Sequence, residues 1–167
     1  MESEAARLID ELTRAIEGDP WHGTPIAGLL DRVTVADASA HPIPGAHSIW
    51  EIVCHMTAWT NEVARRLAGH PAGVPLEGDW PPTSGGDQAA WHRDITRLFE
   101  SHQRLVAMLQ AFTDAQVLEP TTDPRDSETG SGVTRYVLAH GLAQHHAYHG
   151  GQIAMIKKAL ATSDRVR

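Results

Sequence analysis

Three histidines carry the chemistry this sequence can perform. His145 and His149 stand four residues apart in the run His145-His-Ala-Tyr-His149-Gly-Gly-Gln152-Ile153. They fall within a proline-free stretch from Val133 to about Ala161 that reads as one helix. Leu138, Leu142, His145, His149, Gln152 and Ile156 recur at steps of three and four, which sets them on one stripe. The stripe is apolar at both ends and should face the interior. Two imidazoles one turn apart have Cβ atoms roughly 5–6 Å apart. Imidazole nitrogen binds a divalent metal at about 2.0–2.1 Å, so such a pair can converge on one ion without distorting its helix.

The third histidine is His55, which lies between Ile52 and Trp59 on the apolar stripe of another helix. Burying three unpaired imidazoles is costly, and a shared metal ion removes that cost. Three neutral imidazoles would leave the ion its full 2+ charge and an open position. Such a position favours an anionic fourth ligand, hydroxide or thiolate, at neutral pH. The chemistry expected is that of a metal-dependent transferase or hydrolase. No carboxylate stands out as a general base, which favours a low-molecular-weight thiol over water as the nucleophile.

The remaining reactive residues fit less specific roles. Gln152 follows His149 by one turn and is placed to orient a ligand or contact substrate. His102 lies on a core stripe, either as a buried structural residue or as a group behind the ligands or facing substrate. His140 is turned roughly 140° from His145, and His146 about 100°, so neither should join the same ion. His22, His41, His47, His70 and His92 fall in loops, near helix starts or off the stripes. Cys54 points about 100° away from His55 and reads as a buried, inert thiol. Tyr148 and Trp59 are explained equally well as lining residues or as core. Gly150 and Gly151 weaken a helix, and the compensating gain would be close approach of a neighbouring element. There is no phosphate-binding glycine loop, nucleophile elbow or HExxH, which excludes a zincin protease.

Helical spacing accounts for most of the chain. Leu8, Ile9, Leu12 and Ile16 mark a first helix stopped by Gly18-Asp19-Pro20. A short second helix should begin at Thr24 with Pro25 at its first position, and Thr34 with Asp37 can cap one further turn. Pro42 and Pro44 force an extended connection. Ser48 and Glu51 form a capping box for a long helix to about Ala68, with Gly69 as its stop. Residues 70–86, rich in proline and glycine around Trp80, read as a long irregular loop, either a lid or a mobile segment. Asp87 caps a helix whose stripe is Trp91, Ile95, Leu98, His102, Leu105, Leu109 and Phe112. Thr113 and Gln116 cap a short turn, and the polar residues 120–132 form a second loop. No stretch alternates long enough for a sheet. The expectation is a single all-α domain over residues 1–167, a four-helix bundle with two long connections.

Bulk properties narrow the partners. The chain has 167 residues, with 14 Lys and Arg against 21 Asp and Glu, a formal net charge of −7. Nucleic acid is thereby disfavoured, since phosphate-backbone affinity rests on Lys and Arg. Cys54 is the single cysteine, so no intrachain disulfide forms. The acidic N-terminus does not resemble a signal peptide, and no apolar run reaches the roughly 18 residues of a membrane span. A cytoplasmic protein without membrane contact is expected, with homodimerisation by helix packing open. Histidine, at 11, exceeds phenylalanine (2), tyrosine (2) and methionine (4) taken together, as a metal site would encourage.

Ser48-Ile-Trp-Glu-Ile-Val-Cys-His55-Met-Thr-Ala-Trp59, followed by His145-His-Ala-Tyr-His149-Gly-Gly-Gln152-Ile153, resembles the DinB/YfiT-like superfamily. The resemblance extends to Trp21-His22-Gly23 and Ile43-Pro44-Gly45. It implies a four-helix bundle that binds a divalent metal, zinc or nickel, through His55, His145 and His149. That superfamily includes thiol S-transferases that use bacillithiol and is related to mycothiol-dependent isomerases. The resemblance therefore implies a small-molecule substrate and a thiol partner. The contrasting reading is a non-enzymatic metal- or small-molecule-binding stress-response bundle. The two differ at the fourth coordination position, which is open to a cleft in an enzyme and closed by protein in a structural site.

Overall fold

The computed structural model describes residues 3–121 and 133–164. Its elements are α1 (Glu4–Glu17), α2 (Ile26–Leu30), α3 (Val35–Ser39), α4 (Ile49–Leu67), α5 (Gln88–Gln110), α6 (Asp114–Val117) and α7 (Arg135–Asp164). The described residues contain no strand beyond an isolated antiparallel bridge between Pro120 and Thr134. The expected polar loop at 120–132 lies, over residues 122–132, outside the described residues. No helix among those described is long and apolar enough to cross a membrane.

Local chemistry sets the helix limits much as the sequence requires. Ser48 and Glu51 close a reciprocal capping box at α4, as do Thr34 and Asp37 at α3 and Thr113 and Gln116 at α6. Asp87 accepts from Ala90 N at 2.7 Å to start α5, and Thr134 Oγ1 accepts from Val137 N at 3.2 Å at the start of α7. Beyond α4 the backbone turns through Gly69 at φ +92°, a conformation that disfavours side chains. The last helix starts two residues later than expected, at Arg135, and the second helix also starts late. Pro25 occupies the cap and α2 begins at Ile26, because the extended ψ of 163° at Pro25 holds that residue outside the helix.

The long helices pack as a closed ring, α1 on α5, α5 on α4, α4 on α7 and α7 on α1. Two apolar clusters fill the interior. One contains Ile49, Trp50, Met56, Trp91, Leu98 and Ile153. The other contains Leu8, Leu12, Val63, Leu67, Leu105 and Leu142. Along α4 the first ends at Met56 and the second begins at Val63; along α5 the break falls between Leu98 and Leu105; along α7 it falls between Ala143 and Ile153. The buried polar residues Thr60, Ser101, His102, His146 and His149 occupy that break, with His55 at its edge. Burial on either side should hold this polar belt in place, because moving a helix along its axis would expose apolar surface.

Candidate metal centre

His55 on α4 and His145 and His149 on α7 meet within the belt. His55 Nε2 lies 3.0 Å from His145 Nε2, and His149 Nε2 lies 3.1 Å from the same atom. One donor atom from each of the three falls within 4.8 Å of the others. Metal–nitrogen bonds of about 2.0–2.1 Å with angles between a right angle and a tetrahedral one separate ligand nitrogens by about 2.9–3.4 Å. The observed separations lie in that range.

Proton positions sharpen the point. His55 Nδ1 lies 2.6 Å from the carbonyl oxygen of Asp79, which can only accept, so Nδ1 carries the hydrogen. His149 Nδ1 donates to Gln152 Oε1 at 2.7 Å in the same way. Both Nε2 atoms therefore present lone pairs toward His145. A single hydrogen on His145 Nε2 can satisfy one of them only, and His145 Nδ1 is itself buried without a hydrogen-bond partner. A cation among the three Nε2 atoms would accept all three lone pairs at once, with the His145 hydrogen on Nδ1. The donor set fits a divalent metal.

Burial holds the rings in the ligand form. It pushes His145 down to about 3, with the neighbouring imidazoles of His149 and His55 adding to the effect. His149 is lowered to about 4, chiefly by burial and against the pull of Gln152. His55 is also lowered by burial, with the Asp79 carbonyl acting in the opposite direction. All three are neutral imidazoles at pH 7, with lone pairs available to a metal.

The loop at 70–86 is part of the site, which its composition does not disclose. It runs back along α4. Gly73 pairs with Arg66 and Glu62, its oxygen accepting from Arg66 Nη2 at 2.6 Å and its N–H donating to Glu62 Oε1 at 3.2 Å. Glu77 accepts from Asn61 Nδ2 at 3.0 Å, and Asp79 Oδ1 from Trp59 Nε1 at 2.7 Å. Ser84 N donates to Asp94 Oδ2 on α5 at 3.2 Å. The indole of Trp80 is stacked between two imidazoles, 3.9 Å from His55 and 3.5 Å from His47. His47 is held in turn by Glu51 Oε2 at 3.3 Å, an oxygen that also contacts His41 Nε2 at 3.1 Å. The expectation for residues 70–86 is an irregular loop, either a lid or a mobile segment, and His47 has no expected role. The available signal was a tryptophan between Asp79 and Pro81, an expensive side chain to leave in a mobile segment.

The other singled-out residues separate cleanly. Gln152 touches a member of the triad. His102 is buried, but the group that could hold a metal does not include it, and its Nδ1 has no hydrogen-bond partner. His146 is wholly buried although it points away from the triad; Thr60 donates to Met56 O, so its oxygen accepts from His146 Nε2 at 3.2 Å. As its turn away from His145 implies, His146 is not in the group that could hold a metal; it is buried because α7 is packed by α1, α2, α4 and α6 and buries more than one face. Cys54 contacts Asp94 Oδ2 at 3.7 Å, and burial, with the Asp94 charge, pushes its thiol up to about 12. It is the inert thiol expected. Trp59 is half-buried beside His55, whereas Tyr148 is exposed.

Gly150 and Gly151 have different reasons. A Cβ on Gly150 would lie 3.2 Å from Ile26 Cδ1 and 3.6 Å from Leu29 Cδ1, so α2 makes the close approach expected there. A Cβ on Gly151 would meet nothing within 4 Å.

Among known proteins, the model of one family, described as the DinB superfamily, matches residues 24–153. No curated protein and no solved structure matches the chain.

Proposed function

The chain belongs to the DinB superfamily, and from that premise we propose that it is a metal-dependent enzyme whose triad His55, His145 and His149 holds a zinc or nickel ion. The observation that carries the proposal is the convergence of three Nε2 atoms, two of them fixed as lone-pair donors by Asp79 and Gln152. A bound divalent ion would supply positive charge that favours the anionic form of a thiol or water beside it. Asp79 and Gln152 set the tautomers of two ligands, a role in which outer residues raise ligand basicity and metal affinity. Trp80 and Trp59 flank His55 and limit water on that side of the ring.

The reaction we propose is thiol S-transfer. A low-molecular-weight thiol loses its proton to solvent, its sulfur forms a bond to an electrophilic carbon, and the leaving group departs with the bonding electron pair. Cys54 is unsuited to be that nucleophile, being buried with its thiol pushed up to about 12. The metal group contains three side chains, and among the described residues no fourth His, Cys, Asp or Glu joins it. An open position of this kind favours catalysis over a closed structural site.

The test is to load the protein with zinc or nickel and incubate it with 1-chloro-2,4-dinitrobenzene and a panel of thiols, bacillithiol included. Thioether formation is followed by absorbance. Metal-dependent turnover lost in His145→Ala, His149→Ala supports the proposal. Rates equal to the protein-free background with every thiol would remove the transfer reading.

A further inference from the structure

Beside the triad lies a groove of about 530 Å³ between the 43–47 connection, α4 and α7. Its wall holds none of the three histidines but is linked to them through two neighbours. Gln152, in its wall, bonds His149, and His47, also in its wall, stacks on the indole that covers His55. The rest of the lining includes Ile43, Ile52, Tyr148, Met155 and Ile156, and no Lys, Arg, Asp or Glu. Another cavity beside α4, of about 440 Å³, contrasts with it, for Glu77, Asp94, Arg97 and Arg104 line that one.

Gly151 supplies the second observation. A glycine within a helix weakens it and is usually explained by packing. Gly150 has that explanation in α2, but Gly151 faces the groove, with open space where a side chain would stand. Any larger residue there would project into the groove beside Gln152.

We infer that this groove binds the neutral, apolar part of the substrate, and that Gly151 sets its capacity. Charged substrates are disfavoured, because no side chain of opposite sign compensates for their lost hydration. The inference rests on the metal-dependent reading for its link to chemistry, but binding can be measured without turnover.

The probes are two naphthalene dyes whose emission reports an apolar environment, neutral Prodan and anionic 8-anilinonaphthalene-1-sulfonate. Both are titrated into zinc-loaded protein whose metal content is measured in the same samples. Prodan should bind at one site, at least tenfold more tightly than the anionic dye. Gly151→Leu should weaken Prodan at least tenfold while metal content and far-UV circular dichroism stay unchanged. Met155→Glu, a charge at an exposed rim position, should also weaken Prodan and keeps the test independent of how Gly151→Leu folds. Equal binding of the two dyes, no binding of Prodan, or binding insensitive to both substitutions overturns the inference. Metal present without Prodan binding overturns the groove alone. Substitution-sensitive Prodan binding in a protein that takes up no metal supports the groove and removes the metal-dependent reading.

Discussion

Nδ1 of His55 lies 2.6 Å from the carbonyl oxygen of Asp79, 24 residues further along the chain. A helix residue expected to bind metal is thus oriented by a loop, and the same loop residue is fastened to α4 through Trp59 Nε1.

Loosening either outer contact should weaken metal binding without abolishing it. Gln152→Ala removes the acceptor that fixes the His149 tautomer and should lower metal affinity about 10–100-fold. Asp79→Ala keeps the backbone carbonyl but frees the loop from Trp59, so about tenfold is expected. Competition with a chromogenic chelator measures both. Affinity unchanged in both variants would show that the two contacts do not orient the ligands.

Asp94 ties α4, α5 and the loop together. Its carboxylate accepts from Trp50 Nε1 at 2.7 Å, Ser84 N at 3.2 Å and Arg97 Nη1 at 3.1 Å. Burial raises its pKa, yet these donors leave it below the usual aspartate value. A depressed folded pKa contributes stability that is present above the unfolded value of about 3.9 and lost as pH falls through the folded one. Asp94→Ala should therefore cost about 1–3 kcal/mol at pH 7, where it strands buried donors. Urea unfolding should show the gap between the two proteins narrowing below about pH 4.

Cys54 should be silent to thiol reagents in the native state. With its thiol pushed up to about 12, the thiolate fraction at pH 8 is on the order of 10⁻⁴. Ellman's reagent should find no reactive thiol in folded protein and one per chain in urea. Rapid labelling of the native chain would contradict the burial of this residue.

The paired glycines should respond oppositely to substitution. Gly151→Ala adds a methyl to open space and should stabilise the protein by about 0.5–1 kcal/mol. Gly150→Leu drives a side chain against Ile26 and Leu29 and should destabilise it by about 1–3 kcal/mol. Urea midpoints report both.

Helical periodicity made the triad legible, since His55, His145 and His149 lie on stripes that are apolar at both ends. The capping boxes at Ser48, Thr34 and Thr113 located helix starts for the same reason, a fixed short-range geometry. The contributions of Asp79, Trp80 and His47 were not legible, because loop residues carry no period and their contacts span long stretches of sequence. The full burial of His146 was not legible, because one stripe describes a helix packed on one side and α7 is packed by four neighbours. Gly151 could not be told from Gly150 until α2 was seen to approach only one of them.

The central claim is that three imidazoles hold a metal ion. Elemental analysis of the purified protein, beside a His145→Ala, His149→Ala double variant, tests it most directly. About one zinc or nickel per chain is expected, absent from the variant. No metal in the unmodified protein after reconstitution with both ions, or equal content in the two proteins, would contradict it.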